Sequence, residues 1–246
     1  IVYAAIAVAG ASLSPGGADA GSVLDGTETA VLTSYLLTTA AILLWFRLRH
    51  RPLGEAVGLR RCSVWKAAFC AFAAVGLFVV VELALALLPA VWLSDYNDHM
   101  ELLLSTGLIP ALSIAAAGPL AEELMFRGVI QTRLERAMPV WAAVVLQAVL
   151  FGVTHGTPVQ MAYAFLMGLV FGLLRSRTGS ILPGFAAHAA FNATNDPLGL
   201  FGGAAESGYA LLVMAAVSAA GCVLCRRGAA ALTAASASGE AYPPSA

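Results

Sequence analysis

The sequence predicts an all-α fold, a polytopic membrane helix bundle of about eight transmembrane helices. Hydrophobic residues make up 60% of the 246 residues and charged residues only 11%, whereas a soluble domain has about 25% charged residues. Apolar runs near the length of about 20 residues that a bilayer requires recur along the chain, and the basic residues fall in alternate loops. These observations exclude a soluble globular protein. The net charge of −1 also argues against a nucleic-acid partner.

Eight apolar segments are the candidate spans. In chain order they are residues 1–11, 29–46, 67–93, 108–132, 139–154, 158–174, 180–194 and 207–225. The first segment is short and lacks an initiator methionine, so we expect the numbering to begin inside a helix. Glycine and proline within the spans, as at Gly118 and Pro119, are tolerated in a bundle, where small residues let helices pack closely. Residues 228–246 are small and polar, and we expect them to form a disordered cytoplasmic tail.

The positive charges test the number of spans independently. Apart from Arg127, every Lys and Arg lies in one of four loops, at residues 47–66, 133–136, 175–177 and 226–227. The intervening loops hold acidic residues and no basic ones. Because cytoplasmic loops of membrane proteins carry an excess of Lys and Arg, this alternation predicts that both termini and all basic loops lie in the cytoplasm.

Ionisable side chains inside a membrane span are costly and are functional candidates by default. In the predicted span 108–132, Glu122 and Glu123 are followed by Arg127. Glu123 and Arg127 are four residues apart, so they can form an ion pair on one helix face. Glu122 is then left without a partner on its own helix, and an unpaired carboxylate in a dry cavity suits the role of a general base. The alternative for Glu123 and Arg127 is a purely structural pair.

Two histidines lie within or directly after later spans. His155 follows Phe151 by four residues, and His188 precedes Asn192 by four residues. The second spacing puts an imidazole and an amide on one helix face, where both can bind one ligand oxygen. A structural role for each buried histidine is the alternative.

The depth of these groups can be estimated from the helix rise of 1.5 Å per residue. Glu122 and His155 lie about 21 and 24 Å from their cytoplasmic turns, which agrees within one helical turn. His188 lies only about 14 Å from Gly179. Either the loop at residues 175–180 dips into the bundle, or the boundary of this span is wrong.

At these residues the chain resembles the CPBP family of intramembrane proteases, which includes the prenyl-protein (CAAX) endopeptidases. The family pattern has three motifs on separate membrane helices: Glu-Glu-x-x-x-Arg, Phe-x-x-x-His and His-x-x-x-Asn. The chain carries all three in order, within about residues 118–195. The resemblance implies a single transmembrane bundle at residues 1–227 with this segment as its catalytic core. It also implies a multi-pass protein of a bacterial-type cell (inner) membrane.

The resemblance further implies hydrolysis of a peptide bond in a membrane-anchored or lipidated protein substrate. Glu122 would activate a water molecule, and His155 would help to orient it. His188 and Asn192 would donate hydrogen bonds to the oxyanion that forms on the scissile carbonyl. Arg127 would hold Glu123 and the helix geometry in place.

A metal-dependent reaction is an alternative, because two histidines and a carboxylate can bind zinc and activate its water. The ligands would then be Glu122, His155 and His188. The sequence lacks the compact His-Glu-x-x-His spacing of many zinc peptidases, so we favour a reaction without a cofactor.

Two other functions are compatible with the same residues. One is a non-catalytic CPBP relative, such as a bacteriocin-immunity or scaffold protein with a retained polar core. The other is a proton-coupled transporter that uses the acidic residues and histidines as a relay. Transporters more often show a twofold internal repeat, whereas the polar cluster here lies in one half of the chain.

Overall fold

A computed structural model describes residues 20–103, 107–195 and 208–237 of the chain. Within them the chain is helical and has no strand, which confirms the all-α prediction. The helices are α1 (Ala20–Leu48), α2 (Leu53–Ala56), α3 (Val64–Leu85), α4 (Ala90–Leu103), α5 (Leu108–Leu134), α6 (Val140–Val153), α7 (Pro158–Thr178), α8 (Leu182–Ala193) and α9 (Gly208–Ala237).

Five helices of the described chain are long and apolar enough to cross a membrane: α1, α3, α5, α7 and α9. Helix α6 is apolar but has only 14 residues, and α8 has 12. The predicted span 1–11 lies outside the described residues. Seven predicted spans therefore overlap helices of the structure, but the number of eight transmembrane helices is not confirmed.

Two predicted boundaries are wrong. The span predicted at residues 67–93 ends at Leu85, and Pro89 separates it from α4, because proline disfavours a helical conformation in the residue before it. At the other end of the chain, α9 continues past Arg227 to Ala237. Residues 228–237 are thus helical rather than part of the predicted tail, and their many alanines explain this. The rest of that tail lies outside the described residues.

Helix α5 contains two π-helical segments, Ser113–Ala117 and Glu123–Gln131. In a π-helix each carbonyl accepts from the N–H five residues later, and such segments often occur at functional sites. The N–H of Gly118 donates to the carbonyl of Ser113 in this way. The next pair would join Pro119 to Ile114, but proline has no N–H. The carbonyl of Ile114 is therefore left open to a partner from another helix.

The helices around α5 pack in two groups. Helix α3 packs against α8 and α9, and α6 packs along α7. Helix α8 also packs against the first π-helical segment of α5. One hydrophobic cluster joins α3, α7 and α8 through Phe78, Phe171 and Phe191. This packing holds α8 between α3 and α5.

The basic loops meet at one end of the bundle, which we call the basic end. The guanidinium group of Arg133 lies 5.4 Å from the ring centroid of Phe46, and the Ser180 hydroxyl donates to the carbonyl of Arg60 (2.7 Å). The Trp65 ring is adjacent to Gly228. The four loops that carry the positive charges therefore lie on one side of the bundle. This agrees with the prediction from the occurrence of basic residues in alternate loops. That this side faces the cytoplasm remains a prediction.

The turn between α7 and α8 dips into the bundle. The N–H of Ile181 donates to the carbonyl of Gly58 (3.0 Å), and both Ser180 and Ile181 are buried. The segment at residues 57–60 covers this turn from the basic end. This buried turn agrees with the first of the two explanations for the depth of His188, and a helix of only 12 residues carries His188 to the site.

Candidate active site

A buried ion pair lies at the centre of the polar cluster. Nη1 of Arg127 is 2.9 Å from Oε1 of Glu123, and neither side chain is exposed, which confirms the predicted pairing. The guanidinium group also lies over the Phe151 ring, 4.3 Å from its centroid. Nη2 of Arg127 donates to the carbonyl of Gly168 (3.5 Å). The arginine thus joins α5 to α7 and fixes the carboxylate of Glu123.

The ring of His188 lies between the two neighbouring carboxylates. Its Nε2 is 3.6 Å from Oε2 of Glu122, and its Nδ1 is 3.5 Å from Oε1 of Glu123. The ring is stacked on Phe171, with 5.1 Å between the centroids. Gly184, one turn earlier in α8, permits this approach, because a Cβ there would stand 2.8 Å from Oε2 of Glu123. The structure therefore brings together the motifs of α5 and α8.

Glu122 and Glu123 have different environments although they are adjacent in sequence. The Glu122 side chain is 25% exposed, whereas that of Glu123 is fully buried. The hydroxyl of Tyr35, on α1, donates to Oε1 of Glu122 (3.5 Å). Glu122 is therefore the carboxylate that a water molecule can reach. Its partners, Tyr35 and His188, come from other helices, which agrees with the prediction that it has no partner on α5.

His155 lies next to Phe151, whose ring also contacts that of His188. It follows α6 in a turn, with Nδ1 2.9 Å from the carbonyl oxygen of Phe151. If Nδ1 donates to this carbonyl, Nε2 is free to accept a hydrogen bond. His155 interacts electrostatically with Glu122 and His188. Among the described residues, no hydrogen bond or salt bridge connects it to either of them.

Asn192 faces α5, as His188 does, and the two therefore share one face of α8 as their spacing predicts. Nδ2 of Asn192 donates to the carbonyl of Ile114 (3.0 Å). This is the carbonyl that Pro119 leaves open in the first π-helical segment. The amide of Asn192 thus satisfies a backbone group that would otherwise lack a partner and ties α8 to α5.

Sequence reasoning missed three polar residues around the site. Tyr35 contacts Glu122 from α1. Two fully buried amides bind α7: Nε2 of Gln147 donates to the carbonyl of Gly168 (2.8 Å), and Nε2 of Gln131 to that of Gly172 (3.0 Å). The two glutamines do carry a signal in the sequence, because they are polar residues inside predicted spans. For Tyr35 the only local signal is a phenol within a predicted span.

The predicted alternative of a zinc site is not supported. In the part of the chain that the structure describes, no group of three or more His, Cys, Asp or Glu residues is arranged to hold a metal ion. A reaction without a metal remains a prediction.

The fold and the site together define a multi-pass helical membrane protein with a carboxylate, histidine and arginine centre inside the bundle. Residues 104–194 match the family model of the Rce1-like type II CAAX prenyl endopeptidases. This match supports a CPBP family protease and confirms the resemblance that the three motifs indicated. The matched segment contains every predicted site residue, but not Tyr35. No curated protein and no solved structure matches the chain.

Proposed function

We propose that this protein is an intramembrane endopeptidase that hydrolyses a peptide bond in a membrane-anchored or lipidated protein substrate. The observation that carries the proposal is the pair formed by Glu122 and His188. The partly exposed Glu122 carboxylate lies 3.6 Å from Nε2 of His188. This arrangement offers a base and a hydrogen-bond donor at one position inside an apolar bundle, where both act more strongly than in water.

Glu122 is the general base in this proposal. It takes a proton from a water molecule while the water oxygen attacks the scissile carbonyl carbon. The same proton is then available to the leaving amine when the carbon–nitrogen bond breaks, so no other reactant is required. Glu123 is unsuited to this role, because it is fully buried and paired with Arg127. His155 helps to orient the attacking water through its free Nε2.

His188 and Asn192 stabilise the oxyanion on the former carbonyl oxygen. When both ring nitrogens of His188 carry a proton, Nδ1 points to Glu123 and Nε2 faces the side of Glu122. The amide of Asn192 has two N–H donors, of which the bond to Ile114 uses one. The second remains for the oxyanion. Donors of this kind often contribute about 3–4 kcal/mol to the transition state.

A cleavage assay with a matched variant tests the proposal. The full chain is purified in lipid bilayers and given a prenylated peptide and a peptide anchored by one membrane helix. Glu122→Gln keeps the size of the side chain but removes the base, so turnover is expected to fall about 100-fold or more. Asp98→Asn is the control, because Asp98 is an exposed acid outside the site.

Two outcomes would contradict the proposal. Equal turnover by the wild type and Glu122→Gln would reject the role of Glu122. If the wild-type chain cleaves neither substrate, the non-catalytic relative is favoured instead.

A further inference from the structure

A cavity of about 460 Å³ lies at the basic end of the bundle. It is open on one side and is bordered by the end of α1, residues 49–56 and the end of α5, and it shares no lining residue with the candidate active site. Two aromatic side chains and five charged ones line it. These are Trp45, Phe46, Arg49, Arg51, Glu55, Arg133 and Arg136.

The lining carries an uncompensated positive charge. Four arginines face one glutamate, which leaves an excess of three positive charges. In the described chain, none of these five residues forms a salt bridge. The side chains of Arg51 and Arg136 are exposed and make no hydrogen bond to another described residue. A cavity with these properties is suited to an anion.

Two of the four arginines are held in place by aromatic rings. The guanidinium group of Arg49 lies 4.7 Å from the Trp45 ring centroid, and that of Arg133 lies 5.4 Å from the Phe46 ring centroid. Nη1 of Arg133 also donates to the carbonyl of Val129 (3.0 Å). A planar guanidinium group can donate two parallel hydrogen bonds to a phosphate. Because all four arginines line the same cavity, they can donate hydrogen bonds to one bound anion.

The position of the cavity favours a lipid over a soluble anion. It opens where two candidate spans, α1 and α5, end among the basic loops. Trp45 is 53% exposed, as is common for tryptophan at the level of lipid headgroups. Leu37 and Leu44 are also exposed, and their spacing of seven residues places them on one face of α1, which leads to Trp45. An acyl chain can lie along this apolar face.

We propose that this cavity binds the phosphate of an anionic phospholipid headgroup, with the lipid's acyl chains against α1. Basic pockets between membrane helices bind anionic headgroups in this way. The proposal is independent of hydrolysis at Glu122, and it holds whether or not the protein cleaves peptides.

Lipid retention by the full chain tests the proposal. The protein is equilibrated with vesicles of equal parts phosphatidylcholine and phosphatidylglycerol and then extracted in mild detergent. Native mass spectrometry then counts the bound lipids. Wild type is expected to retain phosphatidylglycerol in excess. Arg51→Gln/Arg136→Gln is expected to weaken this retention about tenfold or more, since each arginine near an anionic lipid surface contributes to binding.

The matched control removes the same charge outside the cavity. Arg61→Gln/Arg177→Gln changes two exposed arginines at the basic end that do not line the cavity. It is expected to retain the lipid as the wild type does. An equal loss in both double variants would show diffuse attraction and would overturn the site. An unchanged melting temperature in detergent establishes that the cavity variant is folded.

Inorganic phosphate distinguishes a lipid from a soluble source of the same group. A phosphatidylglycerol molecule held by both headgroup and acyl chains is expected to resist competition by millimolar phosphate. Displacement of the lipid by phosphate would assign the cavity to a free anion and overturn the lipid proposal.

Discussion

The hydroxyl of Tyr35 lies 3.5 Å from Oε1 of Glu122, although 87 residues separate the two in sequence. The ring of Tyr35 also packs against Gly118 of α5, where a Cβ would come within 3.1 Å of it. Tyr35 belongs to α1, outside the segment that matches the family. The environment of the proposed base therefore depends on a helix that the matched segment does not include.

Tyr35→Phe is expected to reduce turnover about three- to tenfold with little change in KM. The substitution removes a hydrogen bond to a carboxylate, which is commonly worth about 1.5–3 kcal/mol, and the length of 3.5 Å places this one at the weak end. Steady-state cleavage by purified protein in bilayers measures the effect. Tyr209→Phe is the control, because Tyr209 is exposed on α9.

The same measurement can show that Tyr35 has no part in the reaction. Turnover equal to that of the wild type would leave the tyrosine as a packing residue only. A loss as large as that of Glu122→Gln would mean that it does more than hold the carboxylate.

The buried pair of Glu123 and Arg127 is expected to control stability as well as activity. Arg127→Met leaves the fully buried Glu123 without its partner, and breaking a buried pair in this way costs about 3–5 kcal/mol. Glu123→Gln/Arg127→Met removes both charges and is expected to regain part of this loss. The free energy of unfolding in detergent, measured for both single variants and the double variant, checks the coupling.

This cycle has a clear contrary result. If the losses of Glu123→Gln and Arg127→Met simply add in the double variant, the two side chains are not energetically coupled. Arg177→Gln serves as a control at an exposed arginine and is expected to leave the stability unchanged.

The sequence was sufficient for the parts of the site that depend on local spacing. The pairing of Glu123 with Arg127 and the shared face of His188 and Asn192 each follow from a separation of four residues. The π-helical segments of α5 do not follow from such a separation, and in the first of them the open carbonyl of Ile114 is satisfied by Asn192 from α8. The contact of Tyr35 with Glu122 depends on how α1 packs, which no local pattern encodes.

The membrane spans, too, could be predicted from the sequence only in the features that depend on local pattern and not in those that depend on tertiary packing. Hydropathy locates the helices, but it cannot show that α8 has only 12 residues and still reaches the site. That depends on the buried turn at Ser180 and Ile181, where the Ile181 N–H donates to the carbonyl of Gly58 and the Ser180 hydroxyl donates to the carbonyl of Arg60. A buried turn is possible only because these partners satisfy its polar groups.

Metal removal is expected to leave cleavage unchanged. Glu122, His155 and His188 do not form a metal site in the structure, and the proposed reaction uses only protein groups and water. Treatment of the purified protein with a strong zinc chelator, before and during the cleavage assay, measures this. A zinc peptidase treated in parallel confirms that the chelator is effective. Loss of cleavage that added zinc restores would assign these three residues to a metal instead.

Gly184→Ala is expected to reduce turnover at least about tenfold, with a smaller effect on stability. The added Cβ would stand 2.8 Å from Oε2 of Glu123, a distance that forces either the carboxylate or α8 to move. Because Glu123 is fixed by Arg127, α8 is expected to shift and to move His188 away from Glu122. A displacement of about 1 Å at a reacting group can reduce the rate about 100-fold. Gly208→Ala is the matched control, because a Cβ at Gly208 meets no atom within 4 Å. Cleavage rates and melting temperatures of both variants separate an effect on turnover from an effect on stability. Wild-type turnover by Gly184→Ala would show that the close approach of α8 to Glu123 is not required for catalysis.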